Sequence, residues 1–336
     1  MHNASSSQNA IVVDGLNCAP TTRDQILRTL EGGVTAINLT AIRPPHDFDT
    51  AMRDLSRTLS NIEMNSDVAC IPRSVRDIEN AQVEGKLAII LGAQNSVVVE
   101  EDVELLRILQ RIGFRILQPT YMERNSLGCG VLAKGGDDGL TEKGRRWLEL
   151  MNELRLLIDL SHVGYRTAAD VLALSKRPVI FSHSNARTLC NSLRNIPDDL
   201  IRAAAKTGGT VGATLWPPMV RHESRPTVDD WAEQIVYMVN LVGIEHVAFG
   251  SDLSENKYKS EAEWQESFGP RGIYPEVTAV LGPWFQFEAR LTEGYESLAQ
   301  TPRLVDALRK RGFALDAIDK VMGGNLLRVY REVWGE

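Results

Sequence analysis

The residues best suited to chemistry occur singly, each just beyond a short apolar run. They are Leu16, Asn17 and Cys18 in "IVVDGLNCAP", Gln94 in "LGAQNS", Tyr121 in "LQPTY", His162 in "LIDLSH", His183 in "VIFSHS" and Asp252 in "HVAFGSDLS". The chain holds only 6 histidines in 336 residues, and His162 and His183 each follow an apolar run and a serine. One histidine so placed is more often a satisfied structural residue. Two in near-parallel contexts favour metal binding or acid–base work, because imidazole is the commonest ligand for zinc-like ions. Asp252 could take a proton from a bound water, act as a ligand, or simply cap the following turn. Most free cysteines are small buried hydrophobes, but a thiolate just past a strand end, as at Cys18, could be a ligand or a nucleophile.

Strands must deliver these residues. Eight runs of strand length are present: Ile11–Val13, Val34–Leu39, Leu87–Leu91, Arg115–Leu117, Leu156–Leu160, Val179–Phe181, Thr210–Leu215 and His246–Gly250. Between them the apolar period predicts helices over Arg23–Leu30, Asp47–Ile62, Val75–Glu84, Glu101–Ile112, Glu142–Glu153, Tyr165–Leu174, Asp198–Lys206 and Asp229–Val242, with Thr22 and Thr141 at N-cap positions. Near-continuous apolar strands suit a parallel sheet covered on its outer face. Eight such units predict an α/β fold, a single (β/α)8 TIM barrel over residues 1–336, with chemistry at the carboxyl ends of the strands. A doubly wound sheet is the competing topology, but no GxGxxG follows the first strand. After the eighth strand, residues 253–298 carry Trp264, Phe268, Tyr274, Trp284, Phe285 and Phe287, as a lid or binding loop would, or as a segment packed on the barrel or in a dimer contact would. Residues 301–335 read as two helices broken near Gly323-Gly324.

A 43% hydrophobic chain of this length can bury a large core. Its net charge of −7, with scattered basic residues, favours a small-molecule partner over nucleic acid or an anionic membrane. Cys18, Cys70, Cys129 and Cys190 show no CxxC spacing, which suits reduced thiols in a cytoplasm. The polar start "MHNASSSQNA" lacks a signal-peptide pattern and no apolar run reaches membrane-span length, so a soluble protein is expected.

Four blocks carry a family resemblance: "VVDGLNCAP", the stretch from "GLTEKGRRW" through "IDLSHVGYRTAADV" and "VIFSHSNARTLCNSLRNIPDDL", then "HVAFGSDLS" and "GGNLLRVY". Over nearly its full length the sequence resembles the renal (membrane) dipeptidases, peptidase family M19, within the amidohydrolase-like metal-dependent barrels. The resemblance implies a (β/α)8 enzyme with two zinc ions bridged by a glutamate, cleaving dipeptides and related small amides, and commonly dimeric. It also implies a His-x-Asp pair after the first strand, matched here by Leu16 and Cys18. The bridging glutamate is matched by Gln94, and a substrate-contacting histidine by Tyr121. Matching the family's own residue types are His162 and His183 of the second metal, the strand-eight Asp252, and Arg194 of "RNIPDD", which would grip a substrate carboxylate. The family's next aspartate is replaced by Ser254.

Two close dications need anionic ligands between and around them. A leucine, a thiol and a neutral amide at those positions argue against a two-zinc dipeptidase. The expectation is one zinc or other divalent ion on His162 and His183, with Gln94, Cys18, Asp252 or water completing the set, or no ion and the histidines and Asp252 acting directly. Asp252, Tyr121 and Cys18 are the expected catalytic groups, and Arg194 and Tyr121 the expected contacts to a small carboxylate-bearing substrate. Three activities fit: hydrolysis of a small amide with a single metal; elimination, isomerisation or decarboxylation involving Tyr121 and Cys18; or binding without catalysis.

Overall fold

The computed structural model describes residues 10–42, 47–99, 101–221, 223–269, 271–273, 281 and 285–335. The anticipated strands are present as β1 (Val12–Asn17), β2 (Val34–Ile42), β4 (Leu87–Ala93), β5 (Phe114–Leu117), β6 (Leu157–Asp159), β7 (Val179–Ile180), β8 (Val211–Ala213) and β9 (Val247–Phe249). A two-residue strand, β3 (Ala69–Cys70), was not anticipated. It is too short to leave a periodic signal. Ala88 of β4 pairs with Ala36 of β2 on one edge and Cys70 on the other, so β3 holds the foot of the edge that β5 takes from Leu91 onward.

All pairings are parallel, in the order β1-β2-β4-β5-β6-β7, with β8 beside β9. Single bridges join the two sheets, Phe181 to Val211 and Asn17 to Leu253. Backbone bonds from Gly212 N to Phe181 O (2.7 Å) and from Asp252 N to Leu16 O (3.0 Å) complete the circuit. The result is the expected (β/α)8 barrel.

Alternating strand residues fall into two apolar layers, as strand geometry requires. Val13, Ala36, Ala88, Ile90, Ile116, Leu157, Ile180 and Ala248 fill the interior with Leu326, Tyr330 and Val333 from helix Asn325–Trp334. Val12, Ile37, Ile89, Leu91, Phe114, Ile158, Phe181, Val247 and Phe249 pack against helix residues such as Trp147, Val171 and Ile235. Burial on both faces explains why the strands read as unbroken apolar runs. Helix Asn325–Trp334 stoppers the amino-terminal end, where Arg328 bonds Gly208 O and Glu245 O just before β8 and β9.

The helices Val75–Glu84, Glu142–Glu153, Tyr165–Leu174 and Asp198–Lys206 have the predicted bounds. Thr141 caps as anticipated, accepting from Gly144 N at 3.0 Å. Thr22 stands at the N-cap of Arg23–Glu31, but its side chain makes no capping bond. The predicted helix Glu101–Ile112 begins as a tight 3₁₀ turn, Val103–Leu105, and becomes α-helical at Leu106. The carboxyl-terminal region has three helical pieces rather than two, Pro302–Lys310, Leu315–Asp319 and Asn325–Trp334, because a break at Gly312 (φ 85°) adds to the one at Gly323.

At the carboxyl end the barrel narrows around one carbonyl. A Cβ at Gly15, Gly212 or Gly250 would lie 2.8, 2.2 or 1.9 Å from Ser182 O. Backbone cannot retreat there, so Gly250→Ala should destabilise by more than about 3 kcal/mol. Gly85→Ala, at a left-handed cap with no neighbour within 4 Å, should cost only about 1–2 kcal/mol. Equilibrium urea unfolding of the two variants measures the contrast.

Candidate active site

Two carboxylate–serine latches shape the mouth of the barrel. Asp14, within β1, accepts from Ser251 N (2.6 Å) and Ser251 Oγ (2.5 Å) beyond β9, and from Asn17 Nδ2 (2.9 Å). Asp159, ending β6, accepts from Ser182 N (2.9 Å) and Ser182 Oγ (2.6 Å) beyond β7, and from Gln118 Nε2 (2.6 Å). Each latch fixes the residue after its serine, Asp252 in one case and His183 in the other. Burial pushes Asp14 up to about 6 against these hydrogen bonds.

The second latch also assigns protons. Ser182 Oγ donates to Asp159, leaving its oxygen to accept from His183 Nδ1 at 2.6 Å, so His183 Nε2 presents a lone pair. That lone pair faces His162 Nε2 at 2.9 Å, while His162 Nδ1 lies 3.1 Å from Met122 Sδ. A proton on Nδ1 would set two lone pairs against each other; one shared proton or one cation resolves the conflict. Burial, reinforced by the positive charge of Arg194, holds both imidazoles neutral, well below their ordinary range.

A second polar group lies alongside. Gln94 Nε2 donates to Thr40 Oγ1 (2.7 Å) and Cys18 Sγ (3.5 Å), and the Cys18 thiol donates to Asp252 Oδ1 (3.6 Å). Burial raises Asp252 to about 6, with Arg194, the Cys18 hydrogen bond and Lys257 pulling the other way. Of the four expected metal ligands, His162 meets His183 and Gln94 meets Cys18, and Cys18, Gln94 and His162 line one cavity. Among the described residues no three His, Cys, Asp or Glu side chains stand together as a ligand set. Leu16 is buried and contributes backbone groups rather than a ligand: its oxygen accepts from Asp252 N and Ser251 Oγ, and its N–H donates to Asp14 Oδ1 at 3.3 Å. This donor set does not fit two dications: the His162–His183 pair offers two neutral nitrogens to one ion, and among the described residues no Asp or Glu joins the pair in a ligand set to serve as a bridge.

Cys18, Gln94, Tyr121, His162, Arg194, Asp252 and Ser254 line one cavity of about 70 Å³, and His183 backs it from a fully buried position. Tyr121 lies against His162, ring centroids 4.1 Å apart. Arg194 is 2% exposed; Nη2 donates to His183 O at 3.3 Å and Nη1 has no partner. Burial lowers it to about 10, opposed by Asp252. Met122, His162 and Asp252 all take left-handed backbone (φ 52°, 70° and 54°), a costly conformation for side-chain-bearing residues.

Sequence reasoning missed Thr40, Met122, Trp216, Lys257 and Tyr258 in the lining, while Phe268 belongs to the aromatic segment it had singled out. Thr40 and Trp216 stand near the carboxyl ends of β2 and β8, the two barrel strands that had supplied no candidate; the same positional rule would have found them. The aromatic segment after β9 packs over the cavity: Tyr258, Trp264 and Phe285 form a buried cluster touching Trp216 and Phe268. Tyr274 and Trp284 lie outside the described residues. No helix among the described residues is long and apolar enough to cross a membrane.

The membrane dipeptidase family, peptidase family M19, matches residues 10–268. An uncharacterized dipeptidase of Schizosaccharomyces pombe is 29% identical over 300 residues, covering 85% of this chain and 64% of that protein. Dipeptidase tcpJ of Claviceps purpurea is 26% identical over 274 residues, covering 81% and 57%. The chain thus spans about three fifths of the length of these curated relatives. A crystal structure of an amidohydrolase from Pseudomonas aeruginosa superposes with a TM-score of 0.87 at 31% identity, covering 97% of both chains.

An acid whose folded pKa is raised stabilises the fold below its unfolded value, and that contribution is lost as pH rises through the folded value. For Asp252 the window runs from 3.8 to about 6. Asp252→Asn should therefore raise Tm by on the order of a few degrees at pH 7.5, with the gain vanishing by pH 4. Thermal melts across this range measure it.

Proposed function

Because the chain belongs to peptidase family M19, the membrane dipeptidases, we propose that it is a hydrolase acting on the amide bond of a small carboxylate-bearing compound, with at most one divalent ion at its centre. One observation carries the reading: a fully enclosed Arg194 guanidinium, with an unpartnered Nη1, lines the same cavity as Asp252. A buried cation without a carboxylate is costly, and a substrate carboxylate would satisfy its planar fork.

With that carboxylate on Arg194, Asp252 is the group to take a proton from the attacking water and return it to the leaving amine. Its pKa of about 6 suits both halves of that exchange near neutrality. The Tyr121 hydroxyl would donate to the developing oxyanion. His162 and His183 would hold the ion, which when bound supplies Lewis acidity toward the scissile carbonyl. Cys18 donates its S–H to Asp252 and so orients that carboxylate rather than attacking.

Non-hydrolytic proton transfer, as in elimination or isomerisation, is the second reading. The placement of Asp252, with its pKa of about 6, beside Tyr121 in one cavity favours it, since the two could run acid–base chemistry without an ion.

Protein purified without a histidine tag should carry no more than about one equivalent of transition metal by elemental analysis; two equivalents would overturn the single-ion reading. Arg194→Ala should weaken binding of small carboxylates at least about tenfold, measured by titration calorimetry. An unchanged affinity would remove the clamp from the proposal.

A further inference from the structure

The two imidazoles of the His162–His183 pair have outer partners of different kinds. His183 Nδ1 meets Ser182 Oγ at 2.6 Å, and that hydroxyl is bonded in turn to Asp159. His162 Nδ1 meets a thioether, Met122 Sδ, at 3.1 Å. In a metal-binding histidine the other ring nitrogen ordinarily donates to a carboxylate, a backbone carbonyl or water, which fixes the tautomer. A thioether sulfur has no proton to give and accepts weakly.

The backbone builds this contact. Val131 N donates to His162 O at 2.9 Å and Leu132 N donates to Met122 O at 2.7 Å, so consecutive residues of one segment hold both backbones. Gly130, just before them, lies too close to the Met122 carbonyl to admit a Cβ. Met122 and His162 both take left-handed backbone, φ 52° and 70°, and such strain persists only where the surroundings fix it. Met122 is fully buried, with Tyr121, Val131, Leu132, Trp216 and Phe268 packed against it.

The chemistry of sulfur limits where the His162 proton can sit. On Nε2 it satisfies His183 Nε2 but leaves the Nδ1 lone pair against those of sulfur. On Nδ1 it bonds Met122 Sδ but sets the two Nε2 lone pairs against each other at 2.9 Å. A single ion between the Nε2 atoms leaves both Nδ1 protons bonded, one to sulfur and one to Ser182 Oγ, and no ring nitrogen unmet.

Resting on the reading that His162 and His183 hold one ion, we propose that Met122 is a positioning residue for that ion: its thioether accepts the Nδ1 proton of His162 and so directs the Nε2 lone pair inward. A weak, uncharged acceptor gives direction without adding negative charge. His162 is therefore the less basic ligand of the two, since the partner of His183 is tied to a carboxylate.

The test is titration of cobalt(II) into the metal-free full chain, read by calorimetry and by the cobalt absorption spectrum. Met122→Leu keeps the apolar bulk, removes the acceptor and should weaken cobalt binding at least about tenfold. Met122→Gln places an amide oxygen at similar reach and should bind as tightly as the wild type or more so. Equal affinity in the wild type and Met122→Leu, or equal losses in the two variants, would overturn the positioning role. If Met122→Leu does not fold, Met122→Gln decides: a loss of about tenfold in a variant that melts as the wild type does overturns it. Heteronuclear NMR of the imidazole rings in the zinc-loaded wild type should show a proton on His162 Nδ1, and its absence sinks the proposal whatever the variants do. If the wild type binds no cobalt, or His183→Ala leaves binding unchanged, the ion reading itself fails and takes the inference with it.

Discussion

Two buried carboxylates, each grasping the backbone N–H and the hydroxyl of a serine on the neighbouring strand, hold the working end of this barrel together. Asp14 ties β1 to the segment after β9 across the seam where the barrel closes, and Asp159 ties β6 to the segment after β7. A carboxylate held by so many donors is both charged glue and a fixed reference point. The residues displayed in the cavity, Asp252 and His183, are direct neighbours of the latched serines and take their positions from them. The regular strands have ended at this level, β7 at Ile180 and β9 at Phe249, and the latches reinforce the single bridges and backbone bonds that continue the pairing.

Beyond the latches the backbone bears strain and the side chains bear uncompensated charge. Met122, His162 and Asp252 adopt left-handed backbone, Arg194 is enclosed with an unpartnered Nη1, and Asp252 is buried enough to hold a proton up to about pH 6. Each feature costs stability, and all converge on one cavity. Such concentration is what a site shaped for a ligand requires, since the ligand supplies the missing partners. The glycines around Ser182 O let the strands come close enough for this crowding.

Family membership and local chemistry point in different directions at the centre. The scaffold is that of peptidase family M19, yet among the described residues those facing the cavity do not assemble the anionic cluster that two dications need. What stands there is a neutral imidazole pair beside a thiol–amide–carboxylate group, under a largely aromatic rim. The long aromatic segment after β9 is part of that rim, bringing Lys257, Tyr258 and Phe268 to the cavity.

The barrel was legible in the chain because its signal is local: apolar runs of strand length alternate with amphipathic stretches, and burial of both sheet faces makes the runs continuous. Residue types at the strand ends likewise identified Cys18, Gln94, Tyr121, His162 and Asp252, and the "RNIPDD" motif identified Arg194, as the residues to examine. The chain did not reveal that Cys18 and Gln94 bond with Thr40 and Asp252, that buried Glu255 bonds Gln25 and Leu298 while Lys257 lines the cavity, or that Asp14 and Asp159 latch the barrel. These depend on which side chains from distant strands come within hydrogen-bonding distance, and on how much water the fold excludes around each charge. Both arise only when the sheet closes.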